Sequence, residues 1–421
     1  MGALTLTPNL ATWVVAGLAT LGVILRPFSW PEAVWAVAGA AILVGFGLLS
    51  PHAALDGVLK GTDVYLFLVG MMLLSEIARR EGLFDWLARI AVRRARGSAT
   101  RLFLLVYGVG TLVTVFLSND ACAVVLTPAV YAAAKAAEAE PLPYLFICAF
   151  IANAASFVLP ISNPANLVVY AAHMPPLGTW LATFALPSLL AILATYVALR
   201  LTQNAALSAT TVATEVEPMT LSTTGRVAGF GILATALVLL AASTAGLDLG
   251  LPTFVSGLAA TLVVLAIKRS GVGEVIRGVS WSVLPLVAGL FVLVEALETT
   301  GVLATIAGGL KASAHVAPEE TAWGAGGLVA VLCNLVNNLP AGLLAGAAVQ
   351  SADVSDRIAG AILIGVDLGP NLSVTGSLAT ILWLTAIRRE GEHVGAWRFL
   401  KLGLVVTPPA LVLALAALIL V

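Results

Sequence analysis

Long apolar runs separated by short polar breaks cover the chain from end to end. A membrane-spanning helix needs about 20 mostly apolar residues. In the first half such runs lie at 11–26, 32–49, 62–79, 142–171 and 178–200. In the second half they lie at 226–245, 252–268, 280–299, 357–388 and 398–420. Two further apolar pairs, 101–117 with 121–137 and 322–336 with 340–350, are each split by an Asn cluster. The second pair is too short for two full spans. Both pairs therefore predict re-entrant hairpins, about 101–137 and 322–350. Their tips must face protein or water, because lipid-exposed loops are excluded at that depth. Leu83–Arg96 and Val302–Ala314 predict helices lying along the membrane interface.

The pattern occurs twice. Phe67-Leu68-Val69-Gly70 through Glu76 to Gly82 returns as Leu286-Val287-Ala288-Gly289 through Glu295 to Gly301, 219 residues on (Gly70 to Gly289). The same step carries Ser118-Asn119 onto Asn337-Asn338. At a step of 214 (Ser162 to Gly376), Ser162-Asn163-Pro164-Ala165-Asn166 falls on Gly376-Ser377-Leu378-Ala379-Thr380. The organisation read from this is an N-terminal repeat over 1–200, a cytoplasmic linker at 201–225 and a C-terminal repeat over 226–421.

Charge orients the repeats. Arg79, Arg80, Arg89, Arg93, Arg94, Arg96 and Arg101 crowd one loop, which the positive-inside rule makes cytoplasmic. Counting spans from there puts both termini outside. Each half then holds five spans and one hairpin, and an odd number of spans inverts the second copy. The predicted fold is an all-α polytopic membrane protein of two inverted-topology repeats, with broken helices at 142–171 and 357–388. Inverted repeats with interrupted helices are the sequence form of a secondary transporter.

Composition narrows the class further. Sixty per cent of residues are apolar and ten per cent charged, against about 25% charged in soluble proteins. The formal net charge of -1 gives no reason to expect a nucleic-acid partner. The partner this composition demands is the lipid bilayer. Three cysteines without paired spacing predict neither disulfides nor a metal site, and no motif calls for a cofactor. With no nucleophile–base pair either, an enzyme is not expected.

Four polar clusters interrupt the apolar segments. They are Ser118-Asn119-Asp120, Asn153 through Asn163 to Asn166, Asn334 with Asn337-Asn338, and Asp367 through Thr375-Gly376-Ser377 to Thr380. Pro128, Pro160, Pro164, Pro340, Gly369, Pro370 and Gly376 flank them, so the helices should unwind there and free polar backbone for a solute. Asn, Ser and Thr that merely glue helices are worth only about 0.6–2 kcal/mol each, and glue need not recur beside helix breakers. Asp120 and Asp367 are the expected proton-coupling carboxylates, since an aspartate at bilayer depth costs roughly 2.5–3.5 kcal/mol to insert. Glu76 and Glu295 match by symmetry but lie nearer span ends, where a structural role competes. Cys122 invites a soft-ion role, yet it has no counterpart under the repeat, and free Cys is commonly a small buried residue.

The clusters resemble those of the arsenite efflux permeases, the ArsB family of the ion transporter superfamily. The matching stretches are Ser118-Asn119-Asp120-Ala121-Cys122-Ala123-Val124-Val125-Leu126-Thr127-Pro128 and Phe150-Ile151-Ala152-Asn153-Ala154-Ala155-Ser156 on to Ser162-Asn163. Later come Asn337-Asn338-Leu339-Pro340 and Asp367-Leu368-Gly369-Pro370 running to Gly376-Ser377-Leu378-Ala379-Thr380-Ile381-Leu382-Trp383, the most specific run. The resemblance implies proton-driven export of arsenite and antimonite across the bacterial inner membrane by an elevator motion. In some organisms it also implies a partner, an arsenite-stimulated ATPase. Members of the family often carry Asp where this chain has Asn153 and Lys where it has Asn371.

The residues suit that substrate. Arsenite near neutral pH is mainly the uncharged trihydroxide, As(OH)3, which needs amides, hydroxyls and carbonyls and no countercharge. The expected substrate-binding residues are Ser118, Asn119, Asn163, Asn166, Asn337, Asn338, Thr375, Gly376, Ser377 and Thr380, with Asn153, Cys122, Glu76 and Glu295 as secondary candidates. No Lys or Arg falls in any of the four clusters, which argues against a dicarboxylate carrier. Silicic acid export, or sodium–proton exchange, is the alternative in the same architecture. An uncoupled channel fits the inverted repeat less well.

Overall fold

The computed structural model describes residues 7–209, 212, 213, 217, 219–269 and 271–421. All regular structure among the described residues is helical. The first half runs α1 (Pro8–Leu25), α2 (Glu32–Gly45), α3 (Pro51–Lys60), α4 (Thr62–Arg80), α5 (Leu83–Ala95), α6 (Ala99–Phe116), α7 (Thr127–Ala136), α8 (Leu142–Ala154), α9 (Pro164–Tyr170) and α10 (Leu177–Thr202). A π-helical turn, Ala121–Leu126, leads into α7. After the short α11 (Asn204–Ala209) come α12 (Thr223–Thr244), α13 (Gly250–Lys268), α14 (Val272–Gly278), α15 (Val283–Thr299) and α16 (Val302–Val316). The chain closes with α17 (Pro318–Val336), α18 (Asn338–Ala352), α19 (Asp356–Leu368), α20 (Leu378–Arg389) and α21 (Ala396–Leu420).

The second half follows the first element by element. α5 and α16 start 219 residues apart (83 to 302). α8 and α19 are both 13 residues long and start 214 apart (142 to 356). Seven stretches among the described residues are long and apolar enough to cross a membrane, with α14 and α15 counted together; the bent pair α3–α4 makes eight. The stretches expected as hairpins hold α6, the π-turn and α7 in the first half and α17 and α18 in the second, α6 being itself one of the seven apolar stretches. The two expected broken helices are α8–α9 and α19–α20.

The structure departs from the sequence reading in three places. The expected span 32–49 stops early: α2 is 14 residues, about 21 Å, against an apolar bilayer thickness of about 30 Å. Gly47 takes φ +69 there and turns the chain out of the helix. Residues 51–60, expected as loop, form α3, capped by the Ser50 hydroxyl and bent 47° from α4. His52, Asp56 and Lys60 break its apolar run, so hydropathy alone passes over it. α11 and the start of α12 lie inside the expected linker 201–225, of which residues 210, 211, 214–216 and 218 fall outside the described residues.

The helices sort into two packing groups. In one, α4 packs along α13, α2 along α15, α1 along α2, and α12 along α13. In the other, α10 packs along α21, α17 on α19, α6 on α8, and α9 on α18. α5 joins α4 to α6 and α7, and α16 joins α15 to α17 and α18. Each group draws on both halves, and the contacts exchange: α4 on α13 has its counterpart in α15 on α2.

Small residues set these crossings. A Cβ on Gly70 would lie 2.3 Å from the Thr253 carbonyl oxygen, and one on Gly289 would lie 2.7 Å from the Ala36 carbonyl carbon. Backbones this close leave no room for a side chain, and the same glycine serves in both copies. Gly70→Leu should therefore destabilise the protein by about 1–3 kcal/mol or more, as overpacking does. Gly17, whose Cβ would meet nothing within 4 Å, is the control. Melting of the two Leu variants in detergent checks this; equal melting temperatures would contradict it.

Candidate functional site

Each of the four interruptions caps its own helix. The Ser118 hydroxyl accepts from the Ala121 N–H at 3.2 Å, and Asn163 Oδ1 from the Ala165 N–H at 3.0 Å. Asn337 Oδ1 accepts from Leu339 N–H at 3.3 Å, and Ser377 Oγ from Thr380 N–H at 3.1 Å. A helix start leaves backbone donors unpaired, and these side chains each satisfy one of them. Asn337 takes φ +72 and ψ 153 to make its turn, a backbone region that is otherwise almost confined to glycine.

The segments are then tied to one another. Asn338 N–H donates to the Gly376 carbonyl at 2.9 Å, and Asn337 Nδ2 to the Thr375 carbonyl at 3.3 Å. The second hairpin tip is thus fastened to the second break. Asn334 adds bonds from Nδ2 to the Gly369 carbonyl at 2.9 Å and to Oδ1 from Ser373 at 2.7 Å. In the first break, Asn166 Nδ2 faces the carbonyls of Ser156, Leu159 and Pro160 at 2.9–3.3 Å and holds the unwound loop. Ser162 Oγ donates to the Val115 carbonyl of the first hairpin at 3.0 Å. The buried Trp180 donates to the Phe157 carbonyl at 3.2 Å and pins the same loop from α10.

All four segments meet around a cavity of about 20 Å³. Asn119 and Asp120, Asn163 and Pro164, Asn338 and Leu339, and Leu378 and Ala379 wall it, one pair from each segment. Leu68 of α4 and Val283 of α15 complete the wall. The cavity therefore lies between the two packing groups. No Lys or Arg lines it. Asn119 Oδ1 accepts from Asp120 N–H at 2.9 Å, while its Nδ2 and the Asn338 side chain have no hydrogen-bond partner among the described residues. These amides, with the Asp120 carboxylate, are the polar groups left for a solute.

Asp367 stands behind the cavity. It is fully buried, and its Oδ1 accepts from Asn163 Nδ2 at 2.7 Å while its Oδ2 has no hydrogen-bond partner among the described residues. Asn163 is thus held at both ends, by Asp367 and by the cap it makes on α9. Asn153 Nδ2 donates to Asn371 Oδ1 at 2.9 Å and approaches Thr380 Oγ1 at 3.4 Å, and Asn371 Nδ2 donates to the Phe150 carbonyl at 3.0 Å. This amide pair bolts the two broken helices together.

Of the expected site residues, Asn119, Asp120, Asn163 and Asn338 line the cavity. Ser118 lines the larger pocket beside it. Asn166 (through its Nδ2), Asn337, Thr375, Gly376, Ser377 and Thr380 make caps and ties behind the cavity, and Asn166 Oδ1 is left without a partner among the described residues. Glu76, in the wall of that same larger pocket, forms a bidentate pair with Arg79 at 2.7 and 2.8 Å, and Glu295 pairs with Lys60 at 2.6 Å. Cys122 is buried, with Sγ 3.6 Å from the Cys148 carbonyl. Leu68 and Val283 were not singled out from sequence, because an apolar wall residue looks the same as a lipid-facing one.

Comparison with known proteins agrees with this architecture. The profile of the CitMHS family, described as citrate transporter, matches residues 16–390. The arsenical pump membrane protein of Yersinia enterocolitica is 28% identical over 410 residues, covering 92% of this chain and 95% of that protein. That of Escherichia coli K12 is 27% identical over 373 residues, covering 83% and 84%. An uncharacterized transporter of Mycobacterium tuberculosis H37Rv is 29% identical over 407 residues, covering 90% and 91%. Among solved structures, the Alcanivorax borkumensis YdaH transporter, reported for its unusual topology, aligns with a TM-score of 0.60 and 18% identity, covering 98% and 97%. At that identity the likeness speaks for the fold alone. A profile match over most of the length, on a helical membrane fold with one convergent polar cavity, identifies a multi-pass membrane transporter that belongs to the CitMHS family.

Proposed function

We propose that the chain exports arsenite and antimonite, as As(OH)3 and Sb(OH)3, from the cytoplasm in exchange for protons. The observation that carries this reading is the convergence of four Asn-bearing interruptions on one cavity between the packing groups. Its free groups are amides and a carboxylate, the donors and acceptors a neutral hydroxide uses. Relatives named arsenical pump membrane proteins favour the same substrate. Asp120 in the wall and Asp367 behind Asn163 are the carboxylates available to carry a proton. The group holding both tips would slide against the group of α1–α4 and α12–α15, with α5 and α16 as its arms. The exchange of contacts between halves supports the repeat, and the arginine-rich loop, cytoplasmic by the positive-inside rule, favours both termini outside the bacterial inner membrane. An arsenite-stimulated ATPase would be an additional partner.

The family's description favours a second substrate, citrate. A tricarboxylate needs cationic contacts. Among the described residues walling the cavity and the pocket beside it, the one cation is Arg79, and Glu76 already holds it. Everted vesicles decide the matter. Arsenite should accumulate with an imposed proton gradient and leak away when a protonophore is added. Uptake of citrate, silicic acid or sodium without arsenite would reverse the choice.

A further inference from the structure

Beside the tip cavity lies a pocket of about 120 Å³. Leu68, Asp120, Pro164 and Val283 belong to the walls of both, so the two spaces are neighbours that share these residues. A water needs about 10–15 Å³ of such space, so the tip cavity of about 20 Å³ holds roughly one water and must widen to take As(OH)3, while the pocket already has room for a larger solute. Its outer end is at the arginine-rich end of α4, where Arg79 and Ser280 are exposed.

The pocket's chemistry is selective. Ser75 and Ser280 offer hydroxyls with no partner among the described residues, and Ser118 retains its hydroxyl hydrogen after capping. The Asp120 carboxylate faces the space without a hydrogen bond or ion pair among the described residues. Glu76 is 3% exposed, and its bidentate bond to Arg79 cancels that cation. The pair is wedged in place: a Cβ on Gly278 would lie 1.9 Å from Glu76 Oε1. A wall whose net charge comes from Asp120 repels anions and admits a neutral hydrogen-bonding solute.

We infer that this pocket is an outer subsite, in which a small neutral hydroxide is held on the arginine-rich side before the hairpin tips admit it to the inner cavity. The inference rests on the proposed function for the identity of its solute, and on the walls alone for its position and sidedness. Ser75→Cys tests both in a protein that has already folded. Everted vesicles, which expose the arginine-rich side, are treated with a cationic membrane-impermeant methanethiosulfonate. The three native cysteines are buried, so the wild type should be indifferent to the reagent.

Untreated Ser75→Cys, which exchanges one of the pocket's hydroxyls for a thiol, should move arsenite at a reduced but measurable rate, the baseline for its treated form. Treated Ser75→Cys should lose about tenfold or more in initial rate and recover when the adduct is reduced. Labelled protein that transports at full rate would overturn the subsite. So would labelling only from the opposite side, or no labelling. Should the wild type move no arsenite, the functional reading falls. Labelling from the arginine-rich side would then still uphold the pocket's access, and its absence would overturn it.

Discussion

Asp367→Asn should yield a folded protein that no longer drives arsenite with a proton gradient. Asp367 is fully buried at the end of α19, and its Oδ1 accepts a hydrogen bond from Asn163 Nδ2 at 2.7 Å. Asparagine has the same shape and keeps an oxygen for that bond, so Asn163 stays in place and α9 stays capped. What disappears is the group that can take and release a proton. A carboxyl at such depth is costly to keep and is usually functional. The measurement is arsenite uptake into everted vesicles with an imposed pH step, beside elution of the purified variant on size exclusion. Uptake should drop to the level seen with protonophore, at unchanged elution. Undiminished gradient-driven uptake would remove Asp367 from coupling, and an aggregated variant would make its role structural.

Much of this site is legible in the sequence because its parts are chemically out of place there. Asn119, Asn163 and Asn338 sit among apolar residues beside Pro or at matched steps of the repeat. A membrane does not tolerate such groups unless something satisfies them. The hairpins and broken helices follow from the same conflict. The division of labour within each cluster is not legible. Ser118 and Asn119 are adjacent and both polar, yet Ser118 caps the π-turn while Asn119 keeps an amide free. Asn163 and Asn166 are three residues apart, yet one reaches the cavity and Asp367 and the other holds a loop. These roles depend on which way a side chain points after the chain unwinds, and residue type does not encode that. Nor does it mark Leu68 and Val283, whose place between the packing groups comes from tertiary contact alone. α3 is hidden for a different reason: it is short and amphipathic, so a search for apolar runs passes over it.

The contact between Asn153 and Asn371 explains why both departures from the arsenite permease pattern occur together. The two residues lie 218 positions apart, and the Nδ2 of one donates to the Oδ1 of the other at 2.9 Å. Both are buried, at 0% and 1% exposure. Asp and Lys in these places would form a buried ion pair; two amides keep the bond and remove both charges. Either charge alone would be unpaired in a dry interior, which costs about 3–5 kcal/mol. Asn153→Asp should therefore lower the melting temperature sharply or prevent purification of a monodisperse protein, and Asn371→Lys should do the same. The double variant, Asn153→Asp with Asn371→Lys, should recover most of that loss, because each charge then neutralises the other across the same contact. The thermal midpoints of all four proteins in detergent complete the cycle and show whether the two losses are coupled. If the two single losses simply add in the double variant, the residues do not act as a pair, and the bolt between α8 and the turn after α19 is not what holds the broken helices together.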